Sequence, residues 1–126
     1  MDKHFENTEK LYRAVYPPEI ADIYWKRDGS VSSAAFADPN GLSVVRGYFR
    51  TDAEVLADMR SRFRGHIFSL YVKNCTDAAA TVLYLPSRVN PYHSEIHGSE
   101  STPLLSKSQR RYLAKCAEII TPRPLP

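Results

Sequence analysis

The chain has 126 residues, of which 43% are hydrophobic and 25% charged, with a formal net charge of +3. That is enough for one buried core and too little for two, too apolar for a disordered segment, and, with two cysteines, too poor in sulfur for a disulfide scaffold. No apolar run approaches the ~20 residues of a membrane span, and Met1 to Asn7 lacks the layout of a secretory leader, so a cytoplasmic protein with no membrane partner is expected.

Residues 1–10 are polar and are expected to form a flexible N-terminus, followed by a single domain over 11–120 and an extended proline-rich tail over 121–126. Leu11 to Tyr16 reads as a strand or short helix stopped by Pro17-Pro18, and Ile20 to Trp25 as a short apolar segment with Trp25 as a core anchor. Asp28-Gly29 marks a turn into Val31–Phe36; Asp38-Pro39-Asn40-Gly41 marks a second, into the strand-like Leu42–Val45. The two runs together predict a hairpin. Thr51 and Glu54 have capping-box spacing, and Val55, Leu56, Met59 and Phe63 share one face, which predicts a helix ended by Gly65. Ile67–Lys73 alternates at strand period, Asn74–Asp77 reads as a turn, and Ala79–Leu85 as another strand. Ser87–Ser106 is polar and long for a loop, with part of it strand-like. A last helix follows Ser106, burying Leu113, Cys116, Ala117 and Ile120 and presenting Lys107, Arg111 and Lys115 as a basic stripe. Cys75 and Cys116 have no zinc-ligand spacing and are read as reduced thiols, Cys116 as a core residue. The pattern predicts an α+β domain: a small antiparallel or mixed sheet with two main helices packed on one side.

The chemistry-bearing segment is His93-Ser94-Glu95-Ile96-His97. In an extended backbone its two imidazoles and one carboxylate project from one face. A two-histidine, one-carboxylate metal site is the first reading. On a straight strand, however, the His93 and His97 α-carbons lie about 13 Å apart, so only a bent strand would bring all three to one ion, and no metal is assigned. The second reading is general acid–base catalysis by His93, Glu95 and His97, with Arg13 and Arg46 steadying an anionic transition state, as metal-independent RNA cleavage requires. The competing reading is a polar row on a solvated strand. Eleven of the seventeen cationic side chains are arginines, which suit planar anions. Arg88, Lys107 and Arg111 are candidate phosphate contacts, Tyr92 a candidate base-stacking residue, and a solvated helix face accounts equally for the lysine and arginine stripe. No cofactor is implied.

Three resemblances accompany these residues. Arg60 and His66 have a spacing similar to that of the helical HEPN ribonucleases, although cations at a helix C-terminus account for the same pattern. The order Arg13, Ser32-Ser33, Glu95 looks like that of ADP-ribosyltransferases and implies a substrate-binding role for Ser32 and Ser33; single residues match, and no Glu-x-Glu or Gln-x-Glu pair is present. Finally, Trp25, Gly29, Ser32–Phe36, Asp38–Val44 and Asn90–His97 resemble a set of small uncharacterised bacterial proteins over residues 11 to 120. That resemblance implies a bacterial source and a single domain, and by association a toxin–antitoxin or antiphage locus with a protein partner from the same operon. The leading expectation is a protein acting on RNA or another phosphate-rich ligand. The alternatives are a non-catalytic protein- or nucleic-acid-binding module of such an assembly and an ADP-ribosyltransferase-like enzyme.

Overall fold

The computed structural model describes residues 1–121; the tail expected at 121–126 lies, from Pro122 onward, outside the described residues. Among the described residues six strands form one sheet: β1 (Lys10–Val15), β2 (Leu42–Arg46), β3 (His66–Tyr71), β4 (Thr81–Tyr84), β5 (His93–His97) and β6 (Glu118–Ile119), with three helices, α1 (Asp52–Met59), α2 (Val72–Asp77) and α3 (Lys107–Cys116). The spatial order is β4-β5-β2-β1-β3-β6, and every neighbouring pair is antiparallel. This is an α+β fold, as the pattern predicts.

The faces follow from strand parity. Leu11, Val15, Leu42, Val44, Phe68, Leu70 and Ile96 point to one side, where they pack with Val72 and Cys75 of α2, Leu113 of α3 and the 3-10 turn Ser33–Phe36. Tyr12, Val45 and Ile67 point to the other, against Val55 and Met59 of α1. The expectation that both main helices share one side is therefore corrected. The helix at Asp52 begins after a single turn from the end of a strand whose Val45 faces away from α3, and its apolar stripe meets the opposite face. It covers only the β1, β2 and β3 side of that face and leaves β5 beside it.

Local signals place the helix starts. Thr51 Oγ1 accepts from Glu54 N while Glu54 Oε1 accepts from Thr51 N, and Ser106 and Gln109 make the same reciprocal pair at α3. Helix ends depart from the prediction. α1 stops at Met59, with Phe63 packing from the following turn. α3 stops at Cys116, and Ile120 crosses to the α1 side after β6. Cys75 is the fully buried thiol and Cys116 only half-buried, the reverse of the expectation for Cys116. The predicted turn at Asn74–Asp77 is helix α2, because Asn74 Oδ1 accepts from Tyr71 N and starts a helical turn there.

The predicted hairpin of Val31–Phe36 with Leu42–Val45 does not form. Val31 makes a single bridge to Trp25, Ser33–Phe36 is a 3-10 turn, and β2 lies between β1 and β5. The turn signals were local; the partners of β2 were decided by distant strands. Trp25 packs edge-on to His66 and tilted against Phe68, and donates Nε1–H to Tyr16 O.

The N-terminal segment, through Asp2, His4 and Glu9, closes over the Arg46 end of β2. Arg46 is completely buried there. Its Nε and Nη2 each donate to a Glu9 carboxylate oxygen at 2.8 Å, Nη1 donates to Asp2 O and Nη2 to His4 O. The Phe5 and Tyr48 rings stack on the guanidinium at 4.1 and 4.6 Å. A buried cation is tolerable only when its donors are satisfied in this way.

Candidate functional site

The pairing of β1 with β2 is confined to Leu11–Arg46 and Tyr12–Val45. Beyond it the two strands separate, and Arg13 fills the gap: Nη1 donates to Ser43 O at 3.0 Å and Nε to Ala35 O at 3.4 Å. Burial lowers the Arg13 guanidinium below its ordinary value, opposed by Asp38 and Tyr24. A desolvated cation of this kind is stabilised by an incoming anion.

On the other edge of β2, β5 is paired in register, with Val45 opposite His93 and Ser43 opposite Glu95. His93, Glu95 and His97 alternate with the buried Ser94 and Ile96, so all three project from the face of β5 next to α1. They divide into two groups. Glu95 Oε1 accepts from His97 Nε2 at 2.8 Å, both side chains being largely buried. His93 turns away: Nδ1 lies 2.9 Å from Leu85 O, a group that can only accept, so the ring proton is on Nδ1 and Nε2 faces Ser43 Oγ at 3.4 Å. A neutral His93 thus presents an unprotonated Nε2 toward Ser43, where it can take a proton.

Gly41 packs over the Glu95–His97 pair. Its φ is +106°, and a Cβ there would stand 2.5 Å from His97 Nε2 and 2.7 Å from Glu95 Oε1. The glycine of the Asp38–Gly41 turn therefore serves both a left-handed backbone and the close approach of the pair. Among the described residues no group of three or more His, Cys, Asp or Glu is placed to hold a metal ion.

Two cavities meet at Arg13. One, about 280 Å³, is lined by Arg13, Ser43, Val45, Met59, Phe63 and His93. The other, about 350 Å³, is lined by Arg13, Tyr16, Tyr24, Phe63, Arg62 and Arg64. They share Arg13, Ala14 and Phe63. The result is a groove with an imidazole at one end and three arginines and two tyrosines at the other; the Arg13 guanidinium, which shares the parity of Leu11 and Val15 and donates to Ala35 O, stands on the sheet face opposite His93. Arg62 is steadied by Asp58 at 3.2 Å and by Val89 O.

The remaining sequence candidates lie elsewhere. Arg46 is enclosed by Glu9 and the N-terminal segment on the opposite face from His93, and parity keeps the two apart. Tyr92 is covered by the Arg50 guanidinium at 3.4 Å. Arg88 is exposed on the β4–β5 connection, and Lys107 and Arg111 are exposed on α3; none of the three lines either cavity. Ser32 Oγ donates to Ile23 O, and Ser33 opens a 3-10 turn rather than a strand. Arg60 caps α1 while His66 opens β3, so they occupy different elements. Sequence reading missed Ser43, Arg62 and Arg64 as a group. The arginine-rich run at 60–64 was visible, but nothing local connects it to Arg13.

Comparison with known proteins assigns nothing further: no family model matches the chain, and neither does any curated protein or solved structure. No helix among the described residues is long and apolar enough to cross a membrane.

Proposed function

We propose that the protein binds single-stranded RNA along the arginine groove and cleaves it by general acid–base catalysis at β5. The observation that carries this reading is the position of Arg13 as a common wall of the His93 cavity and the Arg62–Arg64 cavity. Arginines neutralise successive phosphates, and Tyr16 and Tyr24 offer faces on which bases stack. His93 Nε2 takes the proton of a 2′-hydroxyl as its oxygen attacks the adjacent phosphorus. The P–O5′ bond breaks, and the departing oxygen receives a proton from the Glu95–His97 pair. Arg13, whose guanidinium stands on the sheet face opposite His93, holds a neighbouring phosphate of the strand rather than the reacting one. The products are a 2′,3′-cyclic phosphate and a 5′-hydroxyl. A role in a bacterial toxin or antiphage system fits such a reaction.

A non-catalytic binding module is the second reading, favoured by the fact that both imidazoles already hold protein partners. One experiment separates the two. Binding and cleavage of a short labelled single-stranded RNA are measured for the wild type, Arg13→Ala, His93→Ala and Glu95→Gln. The enzyme reading expects Arg13→Ala to weaken binding, and the other two to abolish cleavage while binding persists. Wild-type binding that falls with salt but produces no cyclic phosphate supports the module. No binding at low salt overturns both.

A further inference from the structure

A larger cavity, about 590 Å³, lies at the Lys10 end of β1, away from β5 and outside the arginine groove except for their shared Tyr12. Its size is that of a small-molecule site. Its walls include the rings of Tyr12, Tyr48, Phe49 and Tyr71, with Lys10 and Asp52 between them. Phe49 is 92% exposed at the rim, an unusual position for a phenyl ring. It is held there by a turn in which Tyr48 and Phe49 both have positive φ, 45° and 66°, and Arg50 N donates to Gly47 O.

The charges around the cavity are matched within the protein. Lys10 Nζ lies 3.2 Å from Asp52, Tyr12 donates to Asp52 Oδ1 at 2.6 Å, Glu9 is held by Arg46, and Arg50 by Asp58. Lys10 and Arg46 already stand over the Tyr71 and Tyr48 rings, which leaves those faces unsuited to a ligand cation. A phosphate would meet the carboxylates of Glu6, Glu9 and Asp52. What fits is a neutral, flat ring whose edge carries a donor beside an acceptor. Asp52 retains acceptor capacity and the Lys10 ammonium a third hydrogen, side by side. We propose that this cavity binds a nucleobase or uncharged nucleoside, stacked on Phe49 with its polar edge against Asp52 and Lys10.

The test is a titration of the full chain, followed by amide NMR shifts and calorimetry. The probes are the four common ribonucleosides, their 5′-monophosphates, and benzyl alcohol as a ring without the paired edge. At least one nucleoside is expected to saturate, with shifts centred on Lys10, Phe49 and Asp52, and its monophosphate to bind no more tightly. Phe49→Ala, a change at an exposed position, is expected to weaken that nucleoside at least tenfold while leaving RNA binding by the groove unchanged. Three results would each overturn the proposal: no saturable shift with any nucleoside, equal binding of benzyl alcohol, or full affinity in Phe49→Ala.

Discussion

Two residues show how single positions constrain the candidate site and its frame. At Gly41 any side chain meets the Glu95–His97 pair at 2.5–2.7 Å while the backbone holds φ +106°. Gly41→Ala is expected to lose roughly 1–3 kcal/mol of stability and to displace the pair, seen as a lower melting temperature together with loss of any cleavage that Glu95 supports. Among the described residues Arg46 is the largest fully buried side chain, and its guanidinium is paired in bidentate fashion with Glu9. Arg46→Ala would leave the Glu9 carboxylate without its partner, and urea denaturation is expected to show a loss of about 3–5 kcal/mol. Lysine should not restore it, since one ammonium cannot reproduce the planar fork that meets both carboxylate oxygens.

Among the elements, the turn between β2 and α1 departs most from local preference. Asn-Gly or Gly-Gly would suit two successive left-handed positions, yet the chain places Tyr48 and Phe49 there. A left-handed non-glycine residue costs about 1–2 kcal/mol, and Phe49, almost wholly exposed, recovers little by packing beyond its edge contact with Tyr48. Phe49→Gly is therefore expected to raise unfolding stability by about 1 kcal/mol, measured by chemical denaturation. A decrease would mean that packing of the Phe49 ring outweighs the backbone cost. The helices behave more conventionally. α3 begins at a capping box, buries Leu113 completely and keeps Lys107, Arg111 and Lys115 in solvent.

At the scale of the whole molecule, Asp52 and Tyr12 tie the start of α1 to the sheet, and their titration sets a pH window. The Tyr12 hydrogen bond is the largest influence on the Asp52 carboxyl; burial opposes it, Lys10 reinforces it, and the carboxyl is held below its ordinary value of 3.8. A folded value below the unfolded one stabilises the protein above that pH, and the contribution is lost as pH falls through the folded value. Tyr12 moves the other way: burial, then its bond to Asp52, raises the phenol well above its ordinary 10.0. Its contribution is fully present below pH 10 and is lost progressively as pH rises beyond it. Melting temperature is thus expected to be flat from the Asp52 limit up to about pH 9, where ionisation of the Cys75 thiol in the unfolded chain begins to cost stability ahead of Tyr12, and Asp52→Asn to shrink the acid-side loss. Burial likewise pushes the Cys75 thiol up to about 12, so it should resist thiol reagents in the folded state.

The extent to which this molecule can be read from its sequence follows the range of the forces involved. The alternation of His93, Glu95 and His97, the helix start at Thr51 and the α+β class were legible, because side-chain alternation and capping are settled within a few residues. Local signals misled at Val31–Phe36, where a turn motif implied a hairpin, and at Ile120, where apolar spacing continued past the end of α3. Strand order, the division of the helices between two faces, the enclosure of Arg46 and the meeting of Arg13 with the His93 cavity were decided only by tertiary structure. Each depends on which distant strand lies beside β2. That choice is made by burying the whole sheet at once, and no short window of sequence contains it.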